Sequence, residues 1–319
     1  MLFLVGAFLV GALLVTQAPS VIAGAILRPA RVVHEAPPPA GCVEREFEGV
    51  GVTLRGWSCE PAGATRGTLV SLHGVADNRR GAAGLVARFG RHGLAVVAYD
   101  SRAHGASDGE FCTYGFHEKQ DLRRVIAALP PGPVVLFGTS LGGAVALQAA
   151  PGEPRVTTVV AAETFADLAT VVRDRAPRLT PDFLIRRAFR IAGERGGFDP
   201  EQVAPAQAAA SIRVPVLLIH GAEDRDTGPG HSRRIYDALP GEKRLIVVPG
   251  AGHGQSLSGP KVWSEIEAWV ERVLRAQTLS TAVESISSAP VSHMRRTLPL
   301  RTPGLNAPLT GSRPADTHS

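Results

Sequence analysis

The middle of the chain, from about residue 42 to 276, alternates short apolar runs with stretches of helical character. The runs are rich in β-branched residues, and several are followed by glycine or by polar side chains. This arrangement is typical of an α/β fold in which a mostly parallel central sheet has helices on both faces. The predicted strands cover residues 68–72, 95–99, 134–137, 157–161, 214–219 and 245–248.

Side chains that can do chemistry stand just after these strands. They include His73, Asp100, Ser140, His220 and His253. In an open α/β sheet, ligands bind beyond the carboxyl ends of the strands. We therefore expect these segments to converge on one site.

Residues 1–27 form an apolar segment without a charged side chain. Its length reaches the roughly 20 residues of a membrane-spanning helix, and residues 23–25 have the small-x-small form of a signal-peptidase site. The missing basic start argues against a signal peptide, whereas Pro19 argues against a regular membrane helix. We expect a membrane anchor or a signal that is cleaved on export, in preference to a buried core helix. In both preferred interpretations the segment is not part of a soluble fold.

The remaining boundaries follow from composition. Residues 28–41 contain three consecutive prolines and predict a non-helical linker. Residues 42–276 form the predicted α/β domain. Residues 277–319 are rich in Ser, Thr and Pro without apolar periodicity, which predicts a disordered tail.

Composition and charge exclude several classes of protein. With 44% hydrophobic and 20% charged residues, the 319-residue chain has the balance of a globular protein, not of a disordered one. The net charge of +5 comes from scattered arginines, and only 5% of the residues are aromatic. No basic run interleaved with aromatics is present, so we expect no nucleic-acid partner.

The three cysteines, Cys42, Cys59 and Cys112, form no Cys-x-x-Cys pair. Neither a zinc cluster nor a disulfide framework is indicated, although one bridge between Cys42 and Cys59 fits the sequence. The histidines also lack the spacing of metal ligands, so we predict no metal site.

The strongest chemical signal is a Gly-x-Ser-x-Gly turn around Ser140, which follows an apolar strand and precedes a helix of small residues. Flanking glycines allow a turn tight enough to expose the serine, and the helix N-terminus favours an oxyanion. This context predicts a nucleophilic serine.

A serine nucleophile needs a base that is oriented by a third group. His253 is our candidate base, because it lies in a Gly-rich loop after the last predicted strand. Asp224 is the candidate acid, since it follows the strand at 214–219. Glu223 and Asp226 compete for this role, and the pattern alone does not separate the three.

These segments together resemble the α/β-hydrolase superfamily, and in particular its serine-aminopeptidase-like and esterase-like branch. The resemblance covers about residues 42–276 and includes the His-Gly segment at 73–74, the Asp-x-Arg-x-His-Gly-x-Ser loop at 100–107 and the His-Gly-x-x-Asp motif at 220–224. It implies that Asp224 is the acid and that the backbone N–H groups of Val75 and Leu141 form an oxyanion hole. It also implies a cofactor-free enzyme with a short helical lid, here at about 165–212.

The expected function is that of a serine hydrolase which cleaves a carboxylic ester through an acyl-enzyme, on a small-molecule or acyl substrate. A peptidase or an acyl-thioesterase with the same triad is one alternative. A membrane-tethered binding protein with an inactive hydrolase fold is another.

Overall fold

A computed structural model describes residues 16–33 and 37–287, with side chains described up to residue 279. The chain divides into two compact units, Met1–Leu279 and Ser280–Ser319. In the second unit, the described residues 280–287 are helical. All strands and every site discussed below belong to the first unit.

The first unit is built around one eight-stranded sheet with the order β1-β2-β4-β3-β5-β6-β7-β8. Strands β3 to β8 run parallel, whereas β2 is antiparallel to both of its neighbours. The strands are β1 (Cys42–Glu48), β2 (Thr53–Cys59), β3 (Gly67–Leu72), β4 (Leu94–Tyr99), β5 (Val134–Thr139), β6 (Val156–Ala162), β7 (Val216–Gly221) and β8 (Lys243–Val248).

Helices connect most of the strands, and one helix lies at each end of the described chain. They are α1 (residues 16–27), α2 (Ala83–Gly90), α3 (Glu118–Ala127), α4 (Leu141–Ala149), α5 (Leu168–Arg175), α6 (Asp182–Gly196), α7 (Pro205–Ala209), α8 (Gly230–Ala238) and α9 (Pro260–Ser287). Helix α9 therefore extends past residue 276, where the sequence predicts that the domain ends.

Side-chain alternation along the central strands produces two apolar layers. In β5, Val134 and Leu136 pack with helices α3, α4, α7 and α8 on one face of the sheet. Val135 and Phe137 point the other way and pack with α2 and α9. Because both faces are covered, the central strands are almost continuously apolar, and this confirms the predicted α/β architecture.

All six predicted strands are present, with ends displaced by a few residues. The hairpin of β1 and β2 was not predicted, because most of β1 is exposed and carries charged side chains at an edge of the sheet. Its first residue, Cys42, pairs directly with Cys59 across the two strands and forms a disulfide bond with it. Cys112 is free and buried.

Helix α1, at residues 16–27, packs on the folded unit. Ala23 and Leu27 are fully buried in an apolar cluster with residues of α5 and α6, including Leu168 and Ala188. The N–H of Cys112 donates to the carbonyl oxygen of Leu27 at 2.8 Å. This differs from the expectation that residues 1–27 are separate from the fold, because the apolar side of α1 meets an apolar surface on the domain.

The segment after α1 is also attached to the domain. Arg28 pairs with Glu110, and the Arg31 guanidinium donates to the carbonyl oxygens of Ser107 and Gly109, each at 2.6 Å. Residues 1–15, on which much of the prediction of an anchor or signal depends, lie outside the described residues, as do residues 288–319 of the predicted tail. Within the described ranges, no helix combines the length and the apolar character needed to cross a bilayer.

The region predicted as a lid, residues 165–212, contains α5, α6, a short 3₁₀ turn at Pro200–Gln202 and α7. Asp167 begins α5 by accepting a hydrogen bond from the Thr170 N–H at 2.7 Å, as a capping side chain does. This region lies between β6 and β7, so it follows the carboxyl end of a central strand.

Candidate active site

Ser140 lies at the turn between β5 and α4 in a strained backbone conformation. Its φ of 48° and ψ of −112° are rare for a residue with a side chain. Its N–H donates to the carbonyl oxygen of Ala162, at the end of β6, at 2.8 Å. Strain of this kind, held in place by the surrounding sheet, is expected of a nucleophile elbow.

The two glycines of the motif are required by close backbone contacts. A Cβ on Gly138 would lie 2.3 Å from the carbonyl carbon of Gly142. A Cβ on Gly142 would lie 2.1 Å from the carbonyl oxygen of Leu72 in β3. Neither position can therefore hold a larger residue without moving the turn that carries Ser140.

Backbone donors surround the same turn. Leu141 is the first residue of α4, where N–H groups lack partners within the helix. Gly74 lies close enough that a Cβ on it would be 3.6 Å from the Cβ of Ser140. The N–H of the next residue, Val75, has no acceptor within the described part of the chain. These are the donors that the family resemblance implies for an oxyanion hole.

His253 and Asp224 are in direct contact. Nδ1 of His253 lies 2.7 Å from Oδ2 of Asp224, whose side chain is fully buried. Because a carboxylate only accepts, Nδ1 carries the proton and donates it. This leaves Nε2 of the imidazole free to accept a proton.

The structure separates Asp224 from its two competitors. Glu223 and Asp226 are exposed, and of the three carboxylates only that of Asp224 contacts His253. The other oxygen of Asp224, Oδ1, accepts from the N–H groups of Asp226 and Thr227 at 2.9 and 2.8 Å. These bonds hold the carboxylate in one orientation.

Hydrogen bonds determine the protonation of this pair. Burial by itself raises the pKa of Asp224, but hydrogen bonds from His220 and His253 outweigh it and hold that pKa well below the ordinary value. The hydrogen bond to Asp224 raises the pKa of His253, against the opposing effect of burial. The pair is thus an ionised carboxylate beside an imidazole with increased affinity for a proton.

The other histidines of the strand-end loops hold the backbone. Nε2 of His73 accepts from the Ser101 N–H at 2.9 Å, and Nδ1 of His104 donates to the Arg102 carbonyl oxygen at 2.9 Å. His220 bridges the Thr227 carbonyl oxygen and the Ser232 hydroxyl. Among the described residues, no group of three or more His, Cys, Asp or Glu side chains is arranged to hold a metal ion.

Glu163 joins the site without having been predicted. It follows β6, and its carboxylate accepts from the N–H groups of Gly254 and Ser256 in the loop that carries His253, the latter at 2.7 Å. The signal that identified the other loops, a polar residue just after an apolar strand, applies to Glu163 as well.

A cavity of about 430 Å³ lies beside the nucleophile turn, on the side of the sheet covered by α2 and α9. Its polar lining includes His73, Thr139, Glu163 and Gly254, which flank the oxyanion segment, the nucleophile and the base. Its apolar lining consists of Leu72, Ala82, Leu85, Phe137, Leu257 and Trp263. None of its lining residues belongs to the predicted lid at 165–212.

Known proteins with similar sequences and structures point to one family. A model of the alpha/beta hydrolase family matches residues 69–266. The chain is 30% identical to YqkD of Bacillus subtilis over 216 residues, and the aligned region covers 65% of this chain and 70% of YqkD. It is 26% identical over 275 residues to a monoacylglycerol lipase of Mycolicibacterium smegmatis, covering 71% of this chain and 96% of the lipase. A solved esterase of Pyrococcus furiosus has a TM-score of 0.63 at 22% identity, over 79% of this chain and 98% of the esterase.

Proposed function

The chain belongs to the alpha/beta hydrolase family, and from this premise we propose that it is a serine hydrolase which cleaves a carboxylic ester with Ser140, His253 and Asp224. Its similarity to a monoacylglycerol lipase and to an esterase supports hydrolase activity. The hydrogen bond of 2.7 Å between His253 and a fully buried Asp224 is the observation that supports this triad most strongly.

In the proposed reaction, Nε2 of His253 takes the hydroxyl proton of Ser140 while the serine oxygen attacks the ester carbonyl. The N–H groups of Val75 and Leu141 donate to the oxyanion of the tetrahedral intermediate. The intermediate collapses when His253 gives the proton to the leaving alcohol. Water then attacks the acyl-enzyme with His253 again as the base, and the acid product and Ser140 are released.

The protonation of the pair suits this role. The carboxylate of Asp224 stays ionised, since hydrogen bonds lower its pKa, and it therefore stabilises the imidazolium that forms during the attack. The same contact raises the pKa of His253 and so strengthens it as a base.

The cavity beside Ser140 is the proposed binding place for an apolar part of the ester. Its volume lies within the range of about 300–1,000 Å³ that is usual for small-molecule sites. Leu85, Phe137 and Trp263 contribute apolar surface to it. We therefore expect esters with an apolar chain to be better substrates than acetyl esters.

We also propose that the enzyme works outside the cytosol and is held at a membrane by the first 15 residues of its N-terminal segment, since α1 packs on the folded unit. The disulfide bond between Cys42 and Cys59 supports an oxidising compartment. The burial of Ala23 and Leu27 in the folded unit supports a segment that is retained and not cleaved. Mass measurement of the chain recovered from membranes tests this proposal. A cleaved chain would lack residues 1–25, whereas a retained segment gives the mass of the full chain.

Labelling with a fluorophosphonate tests the proposed function directly. The full chain should be labelled on Ser140 and should hydrolyse p-nitrophenyl esters, whereas Ser140→Ala should fold and do neither. Parent-like turnover by Ser140→Ala would overturn the triad. Faster turnover of amino-acyl amides or acyl thioesters than of esters would favour the alternative peptidase or thioesterase, and a folded parent that is not labelled would favour a binding protein.

A further inference from the structure

Glu163 occupies a backbone position that is unusual for its residue type. Its φ is 54°, in the left-handed region, and its N–H donates to the carbonyl oxygen of Ile219 in β7 at 2.8 Å. Glycine or asparagine adopts this conformation at lower cost than glutamate. Strained positions that keep a larger side chain are concentrated at functional sites, so the side chain of Glu163 is the feature to explain.

That side chain is buried and reaches one loop only. Glu163 is 4% exposed, and its two carboxylate oxygens accept from Gly254 N–H and from Ser256 N–H. These donors stand one and three residues after His253. Among the described residues, Glu163 forms no ion pair with an arginine, a lysine or a histidine.

A buried carboxylate without a cationic partner is expensive, and a neutral side chain could cap a loop with less desolvation. A charged side chain at position 163 therefore needs a functional explanation. The imidazole of His253 lies in the loop that Glu163 binds, and it becomes cationic when it takes the serine proton. A fixed negative charge near it favours that cationic state.

Resting on the proposed function, we propose that Glu163 is a positioning residue which fixes the base loop and stabilises the His253 imidazolium as it forms. Asp224 holds the imidazole ring from one side, at Nδ1. Glu163 holds the backbone that follows the ring. Through the Ser140 N–H, which donates to the neighbouring Ala162 carbonyl oxygen at 2.8 Å, the end of β6 is attached to both the nucleophile turn and the base loop.

The charged groups around His253 agree with this assignment. Asp224 and Glu163 both act to raise the pKa of His253, Asp224 more strongly because it also accepts a hydrogen bond from Nδ1 of the ring, while Arg175 of α5 acts to lower it. Removing the charge of Glu163 should therefore lower the pKa of His253, whereas a purely structural role for Glu163 would leave that pKa unchanged.

The test compares Glu163→Gln with Glu223→Gln, which removes an exposed carboxylate from the adjacent acid loop. We expect Glu163→Gln to lower kcat by about 10- to 100-fold, since a slightly misplaced base has an effect of this size, and to change KM by less than about threefold. The acid limb of its pH–kcat/KM profile and the NMR titration of His253 should both move to lower pH. Glu223→Gln should behave like the parent.

Glu163→Asp provides a second variant, because it keeps the charge but shortens the reach to the loop. We expect a reduced kcat with a parent-like pH profile. The proposal is overturned if Glu163→Gln keeps the parent kcat and His253 titration, or, should that variant not fold, if folded Glu163→Asp keeps the parent kcat. Failure of the proposed function gives a different result, because the parent itself would then not be labelled on Ser140. The effect of Glu163 on the pKa of His253 can still be measured by NMR titration in that case.

Discussion

Nδ1 of His253 donates to a carboxylate oxygen of Asp224 at 2.7 Å, although 29 residues separate the two in the chain. The contact assigns the proton to Nδ1 and leaves Nε2 as the free nitrogen of the ring. Asp224 is ionised and buried, so this one hydrogen bond orients the base and raises its pKa at the same time.

The pH dependence of activity follows from this contact. Because the pKa of His253 is raised above 6.5, kcat/KM should increase with pH around a midpoint above that value. Asp224→Asn removes the largest cause of the shift, so the midpoint should move to lower pH while the maximal rate falls about 10⁴-fold. The exposed Asp226→Asn is the matched control, and an equal effect of both substitutions would contradict the assignment of the acid.

The cavity on the α2 and α9 side should set the preference for chain length. Leu85→Trp places a larger side chain into the cavity. Exclusion of about two methylenes, at about 0.8 kcal/mol each, should reduce kcat/KM for the longest good p-nitrophenyl ester by about tenfold. Acetyl ester turnover should change little. Leu179→Trp, at a position 95% exposed in the predicted lid, should leave the profile unchanged. If Leu179→Trp changed the chain-length preference and Leu85→Trp did not, the lid and not the cavity would determine specificity.

Helix α1 should contribute to the stability of the folded unit. Leu27 is fully buried, so Leu27→Ala is expected to lower the free energy of unfolding by about 2–5 kcal/mol. Leu179→Ala makes the same change at an exposed position and should have almost no effect. Thermal or denaturant unfolding measures both, and equal stability of the two variants would show that α1 does not pack on the domain.

The disulfide bond should stabilise the edge hairpin. Its cysteines are 17 residues apart. A disulfide bond that closes a loop of about this length in the unfolded chain stabilises the folded state by roughly 3 kcal/mol. A reducing agent should therefore lower the melting temperature of the parent but not that of a Cys42→Ser, Cys59→Ser double variant. In the unfolded, unreduced parent, a thiol reagent should modify Cys112 alone, and labelling of three cysteines would contradict the bond.

Much of the fold is readable from the chain because it depends on local patterns. A strand buried on both faces must be apolar along its length, and that requirement makes β3 to β7 visible as short apolar runs. The edge strand β1 escapes detection for the same reason, since its exposed position allows charged residues. The turn at Ser140 is equally local, because its strain needs small residues at Gly138 and Gly142.

The sequence by itself determined the α/β architecture, the serine turn and a short set of partners for it. Only the tertiary structure decided that Asp224, and not Glu223 or Asp226, contacts His253, that Glu163 holds the base loop, and that α1 packs on the domain. The physical reason is distance along the chain. Periodicity reports which face of an element is buried, whereas a contact between residues 29 or 93 positions apart depends on the path of everything between them.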